Sequence, residues 1–568
     1  DRQLTDAVLP IVTDQLNKGL VAQTESVQIA KLNYQAGSLS CKRGEYYSAI
    51  SYSEQALGLL PTCHWEHEYK LSLKIHFLSA KSSQAVGKSE KASEKVLTML
   101  KLGKSIDDKL PAYGLLVMIS LSREMAEYAY MTSLDVLSQL GENFSEYCDR
   151  SDLPTLVGET TRALSESEKK LIVSAEGRQT PKKIYRVLEF YGHLILASYF
   201  VKPRVFPFVC CKMIEITLKH GMNPNGTMAL ISFASVLCQT SCDLLKKIDE
   251  NCKIGKLGMD MLENQYDPSE VLDVRARSIS VYYGILAPFA VPLQTCVSKL
   301  KAGLQTGLSA GDFTFAFLCI MQHIRLSILA GSPLGGLLSK TEHFLSLFRK
   351  HNNVLMGYYT RIYQETVSTL IDRGKSLEKG TWELSESLAS ARLSETLYFH
   401  QAFRCFWLGY SERCNHYIDK LLGMSATGRH HRVIITFYRG INSIRLLNRS
   451  RSGKLKSVIT DAIEALKEAA RLSRWNYASK VHLLEAELYS WEKEHESAGT
   501  SYAAAILSSE SSGFIVRITT VRYFRVFLLS NMCSSFSPLP LLSTNKALPV
   551  SLQHCTTKGR MILERQDL

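Results

Sequence analysis

Apolar and small residues recur at helical spacing through residues 30–61. Leu32, Ala36 and Leu39 mark one stripe, a break follows at Lys42-Arg43-Gly44, and Tyr46, Ala49, Tyr52, Ala56, Leu57 and Leu60 mark a second stripe that stops at Pro61. The spacing predicts a helical hairpin of about the 34-residue tetratricopeptide (TPR) length. Gly37 is small enough to let the two helices approach, and Gly44 occupies the turn. Ala49 and Ala56 lie seven apart on one face, where larger side chains would wedge neighbouring helices apart, and Pro61 ends the second helix.

The same pattern recurs more weakly. Helices are predicted over 65–86, closed by Gly87, over 91–100, and over the pair 110–121 and 123–140, closed by Gly141. Late in the chain, 479–491 and 496–509 form another pair. There Ala486 and Tyr489 are followed by Ala498, Tyr502 and Ala505, the small–aromatic–small pattern of a TPR second helix. The middle predicts helices over 184–199, 205–220, 227–245, 276–289, 293–308, 312–329 and 334–348, with a turn at Asn223-Pro224-Asn225-Gly226. No strand is needed to account for the apolar periodicity. The fold class is therefore all-α, a TPR-like α-α superhelix of hairpin repeats.

Seven regions follow from this pattern. Residues 1–28 are a linker and leading helix, 29–145 TPR-like hairpins, and 146–182 a polar linker, either surface loop or helix exposed on one side. Residues 183–373 form a divergent helical-repeat region, 374–391 a second linker, 392–515 further hairpins with a basic segment, and 516–568 a divergent tail outside the array.

Composition supports the helical reading. Fifteen prolines in 568 residues is about half the usual usage, which removes helix breakers. The chain is 45% apolar and 21% charged, an ordinary globular balance. The net charge of +13 is local: between Gln401 and Trp475 fourteen Lys and Arg face five Asp and Glu, centred on Arg445, Arg449, Arg451, Lys454 and Lys456. Such a stripe can meet nucleic acid or an acidic partner, but no base-stacking or groove-reading motif accompanies it. A solvated face is the favoured reading.

The chain begins at Asp1, with no charged segment leading into an apolar one, so no signal peptide is read, and the missing Met suggests a piece of a longer protein. No uncharged apolar run reaches membrane-spanning length, so no membrane partner is expected. The fourteen cysteines include no Cys-x-x-Cys pair. Cys238 and Cys242 could share a helix face, but two sulfurs do not complete a zinc site. Buried reduced thiols without an export signal point to the cytoplasm.

The search for chemistry returns motifs in the wrong context. Gly-Lys-Ser occurs at Gly87, Gly103 and Gly374, but a phosphate-binding loop needs glycine five residues earlier, where Ser82, Thr98 and Thr369 stand. A Gly-x-Ser-x-Gly runs from Gly307 through Ser309 to Gly311, preceded by a helical pattern in place of the strand a nucleophile elbow needs. His64 and His67 lack a third metal ligand nearby, and His430-His431 sits in the basic run as solvated charge. No catalytic residue, cofactor or metal is assigned.

Four segments carry a resemblance to a known family. The first is Leu32-Asn33-Tyr34-Gln35-Ala36-Gly37 through Tyr46, Ala49, Tyr52 and Leu59-Leu60-Pro61, followed by Trp65-Glu66 and residues 71–80. The second is Lys212-Met213 with Leu218-Lys219-His220-Gly221 and Asn223-Pro224, and the third is Pro292-Leu293 through Gly303, Gly307, Gly311-Asp312 and Ala316. The fourth is Leu483-Leu484-Glu485-Ala486-Glu487 through Ala498, Tyr502, Ala505 and Gly513-Phe514. Their order and spacing resemble the helical region that follows the ATPase module in STAND-class signalling proteins. Those are ATPases fused to a serine/threonine kinase-like domain, often with hybrid histidine-kinase modules. The resemblance covers about residues 29–515 and departs after Phe514. It implies a non-catalytic TPR-like region that joins a nucleotide switch to output domains and binds those domains or a regulator. The catalytic residues of such proteins map nowhere on this chain. Two other readings stand beside it: a free-standing TPR-like adaptor, and a basic α-solenoid associated with nucleic acid.

Overall fold

In this computed structural model, residues 2–19, 25–123, 125–150, 152–174, 180–240, 248–268, 271–372, 374, 391–424, 429–447 and 453–513 are described, and no strand occurs among them. The N-terminal part comprises α1 (Arg2–Lys18), α2 (Ser26–Lys42), α3 (Tyr46–Leu59), the one-turn α4 (His64–His67), α5 (Tyr69–Ala85), α6 (Ser89–Leu102), α7 (Ile106–Ser122) and α8 (Ala126–Gln139). The middle continues with α9 (Phe144–Arg150), α10 (Leu153–Ser174), α11 (Lys182–Val201), α12 (Phe206–His220), α13 (Pro224–Thr240), α14 (Ile248–Asn264) and α15 (Leu272–Val281). After α15 a π-helix (Tyr282–Leu286) and a 3-10 turn (Ala287–Phe289) lead into α16 (Leu293–Ala310), α17 (Phe313–Ala330), α18 (Leu334–Lys350) and α19 (Val354–Ile371). The C-terminal part holds α20 (Ala391–Trp407), α21 (Ser411–Leu422), α22 (Arg429–Leu447), α23 (Gly453–Leu472), α24 (Arg474–Glu492) and α25 (His495–Ser511).

Neighbours in sequence pack on each other, as α2 does on α3, α5 on α6, α16 on α17 and α24 on α25, and short turns make these pairs antiparallel. Successive hairpins stack through α3 on α5 and α22 on α24. The protein is thus an all-α, TPR-like array of helical hairpins. The small residues read from the sequence sit at the crossings. Ala49, Ala56, Ala486, Ala498 and Ala505 are all fully buried, as is Tyr502. A Cβ on Gly37 would meet Leu78 Cδ2 at 2.9 Å and Tyr52 Cβ at 3.1 Å, so that glycine is required by space. Gly44 has open space around it and φ +77°, so it is required by backbone conformation. Pro61 ends α3 but is exposed and packs no repeat.

In the polar stretch 146–182 the structure has the second of the two alternatives, a helix exposed on one side: α10 lays Thr160 and Leu164 against α12. Three expectations change in detail. The turn at 223–226 is instead the start of α13: Asn223 Oδ1 accepts from Gly226 N at 3.0 Å, and Pro224 takes the first helical position, where a missing N–H costs nothing. The helix read over 65–86 breaks at Glu68 into α4 and α5. The single helix read over 276–289 is interrupted by the π-turn, in which Ala287 N donates to Tyr282 O. Most of the second linker and the tail from residue 514 lie outside the described residues. One described helix, α17, is long and apolar enough to cross a membrane; it is largely buried inside the array against α15, α16 and α19.

Contacts distant in sequence fasten the array to itself. Tyr46 Oη donates to Leu308 O at 2.9 Å, and its ring stands edge-on to Phe313 at 5.9 Å. The turn at Gly87 sits on the backbone of Lys350. Gly307 and Gly311, which mimic part of a hydrolase motif, serve the same junction: Gly307 lies against Ala316, and Gly311, at φ +74°, lies under the Tyr46 hydroxyl. Replacing Tyr46 by Phe removes one partly buried hydrogen bond and is expected to cost about 0.5–1.5 kcal/mol in urea denaturation; an unchanged midpoint would show that the bond contributes nothing.

His351 seals this junction, stacked on Phe313 at 4.8 Å and edge-on to Phe317 at 5.3 Å. Burial, helped by the Lys350 charge, lowers its pKa from 6.5 to about 4. Burial likewise lowers His76 to about 4 and His193 to about 3. These rings are neutral when folded and bind a proton near pH 6.5 when unfolded. Their contribution to stability is complete above that pH and is lost as pH falls from about 6.5 to about 4 for His76 and His351, and to about 3 for His193. Urea midpoints measured across this window should fall with pH, and His351→Phe should flatten the slope.

Candidate functional site

α17 carries an apolar face on every side, so a cation within it stands out. That cation is Arg325, 9% exposed. Its Nη2 donates at 2.5 Å to the carbonyl of Gly284 in the π-helix, whose inserted residue shifts its carbonyls out of the α-helical ladder. Burial lowers the Arg325 pKa, and Tyr363, Tyr199 and Glu395 act in the opposite direction. An arginine stays protonated in such surroundings. The cation is thereby fixed between the π-helix, α19 and α20.

Beside Arg325 lies a cavity of about 140 Å³. α11 contributes Tyr199 and Phe200 to its wall, α12 Phe206, α13 Met228 and Ser232, α17 Phe315, Met321 and Gln322, α19 Tyr359 and Tyr363, and α20 Glu395. Tyr199, Phe200, Val281, Ile285 and Met321 are only half-buried, which opens the cavity toward solvent on one side. Gln322 lies against Gly284, where a Cβ would come within 2.9 Å of its carboxamide carbon. The glycine therefore lets the carboxamide reach the wall. Gln322 Oε1 and Ser232 Oγ are buried and make no hydrogen bond among the described residues. The described lining residues include no histidine and no Ser–His or Cys–His pair. The arrangement suits binding more than bond-breaking chemistry.

The residues singled out from the sequence lie elsewhere. Gly37, Gly44, Tyr46, Ala49 and Ala56 belong to the first hairpin, and Ala486, Ala498, Tyr502 and Ala505 to the last. Tyr502 adds a bond that periodicity does not reveal, donating to Glu487 Oε1 at 2.5 Å, while burial raises the Glu487 pKa. Gly87-Lys88-Ser89 and Gly103-Lys104-Ser105 are inter-helix turns, and Ser105 caps α7 by accepting from Asp108 N. His64 Nδ1 is bonded to Ser72 Oγ at 2.7 Å, and no cluster of three metal-binding side chains occurs among the described residues. Cys238 on α13 and Cys252 on α14 are buried free thiols, Cys252 Sγ donating to Leu286 O, and Cys242 lies outside the described residues.

The basic segment is partly structural. Arg445 donates to Phe406 O and covers the Phe406 ring at 4.2 Å. Arg404 is mostly buried beside Glu365, Lys456 pairs with Glu492, and Lys467 pairs with Glu485. Arg449 and Arg451 lie outside the described residues, as do the side chains of His430 and His431. One signal could have revealed the cavity in advance: Arg325 is the single charged residue between Phe313 and Ala330.

No family model matches the chain, and no curated protein matches it. Among solved structures, a chain in the structure of Naa15/Naa10 bound to HypK-THB is similar at a TM-score of 0.23 and 11% identity, over 98% of this chain and 94% of that one. A likeness that slight says nothing of function.

Proposed function

We propose that this chain is a non-catalytic, protein-binding helical-repeat scaffold, and that it couples a nucleotide-switch ATPase module to kinase-type output domains. The observation that carries the scaffold reading is the register of small residues at hairpin crossings, from Gly37, Ala49 and Ala56 to Ala486, Ala498 and Ala505. Such arrays recognise partners through extended surfaces formed by many repeats. Met125, Tyr128 and Met131, spaced three apart at the start of α8 and about half exposed, form an apolar stripe of the composition that protein contacts use. The coupling reading rests on the order and spacing of the four family-like segments, whose described residues fall on helices and the turns that join them.

The nucleic-acid reading is less well supported, because several cations of the basic segment are engaged by carboxylates, carbonyls or rings within the fold. The coupling reading and the free-standing adaptor separate on the coding sequence upstream of Asp1. Coupling predicts an in-frame nucleotide-binding module with a Gly-x-x-x-x-Gly-Lys-Ser/Thr loop. An initiator codon immediately upstream, with no such module, would contradict it and leave the adaptor.

A further inference from the structure

We propose that the cavity beside Arg325 is a binding site for a small neutral molecule with one aromatic ring and one N–H or O–H donor. The inference goes beyond the scaffold reading and does not depend on it. Size sets the first limit. The cavity measures about 140 Å³, and an apolar protein cavity of about 150 Å³ admits benzene. The walls set the second: Phe200, Phe206, Phe289, Phe315 and Met321 present rings and a thioether suited to an aromatic guest.

Hydrogen bonding sets the third. Gln322 is 9% exposed, lines the cavity, and its Oε1 accepts from no group among the described residues. Ser232 Oγ, fully buried on α13, is in the same position. A buried acceptor of this kind is stabilised by a donor brought in by a guest. Charge sets the fourth. Arg325 and Glu395 both line the cavity and attract each other. The guanidinium is thus offset by a carboxylate, and a neutral guest is preferred to an anionic one. The Gly284 contact holds the carboxamide and guanidinium on one wall, so the donor of the guest and its ring are placed by the same two helices.

The test uses phenol, toluene and benzoate as probes on the full chain. Affinity is read by calorimetry and location by the methyl resonances of the methionines. Phenol should bind about tenfold or more tighter than toluene and than benzoate, and should shift the methyl signals of Met228 and Met321 by its ring current. Gln322→Leu removes the acceptor and keeps the volume. It should weaken phenol by about tenfold, leave toluene unchanged, and leave the thermal midpoint of the ligand-free protein unchanged or raised. Benzoate binding as tightly as phenol would overturn the proposal. So would unchanged phenol affinity in the leucine variant, or still methyl signals at saturating phenol, which would mark a cavity that takes up water only.

Discussion

Replacing Asn476 by alanine is expected to destabilise the protein by about 3–5 kcal/mol, the largest effect of any single side-chain truncation considered. Asn476 lies in the first turn of α24 and is 1% exposed. Its Nδ2 donates to Pro288 O and Val291 O, both at 2.9 Å, and its Oδ1 accepts from Leu293 N at 3.2 Å. These three backbone groups lie where the 3-10 turn gives way to α16, a segment with no helical ladder of its own to satisfy them. Truncation leaves two carbonyls and one N–H buried without that partner, each worth about 1–3 kcal/mol before water relieves part of the loss. Asn476→Asp should be at least as damaging at neutral pH, because it keeps the acceptor for Leu293 but turns a carboxylate oxygen toward two carbonyls. Urea denaturation measures both, and a loss below about 1 kcal/mol for the alanine variant would mean that the last hairpin is not held to the middle of the array through this residue.

The second large effect belongs to Gly87. Its φ is +81°, and a Cβ built on it would stand 2.2 Å from Lys350 O and 3.1 Å from His351 Cα. Any side chain would therefore meet backbone, which cannot swing aside as a flexible side chain does. Gly87→Val combines that clash with a conformation that β-branched residues avoid, and is expected to cost about 3–5 kcal/mol. A built-in control separates this from a general effect of replacing glycine. Gly357, inside α19, has no heavy atom within 4 Å of a built Cβ and an ordinary helical φ. Gly357→Ala should raise stability by about 0.5–1 kcal/mol through helix propensity and a less flexible unfolded chain. Thermal midpoints moving in the same direction for both variants would contradict the junction at Lys350.

The contrast between these residues shows how far the sequence is legible. Hairpin boundaries were readable because a helix buries one stripe, and the stripe leaves a period in the sequence. Gly37, Ala49, Ala56, Ala498 and Ala505 were readable for the same reason, since small residues at fixed spacing mark crossings. Gly87 was readable as a turn, but its second requirement, space beside Lys350, comes from a neighbour more than two hundred residues away. The bond from Tyr46 to Leu308 and the bonds from Asn476 to the segment after the π-helix are equally invisible to local pattern. The π-turn was missed because Tyr282–Leu286 is itself apolar and reads as a continuation of the helix before it, and it reveals itself only where Arg325 claims a carbonyl. The cavity wall draws on α11, α12, α13, α15, α17, α19 and α20 and the π-helix, and no single window contains it. Asn223 and Pro224 were recognised as chain-turning residues, yet the same chemistry, an amide side-chain acceptor followed by proline, also starts a helix.

The proposed coupling requires that the helical array respond to the state of a nucleotide switch. The measurement that tests it most directly is hydrogen exchange on a polypeptide that joins this chain to the proposed nucleotide-binding module, with ATP and with ADP. The account predicts that protection changes with nucleotide and is concentrated where the fold is fastened across long distances, at the Tyr46–Leu308 and Gly87–Lys350 junctions and around Asn476. Identical exchange in the two states throughout residues 25–513, with nucleotide binding confirmed, would contradict it.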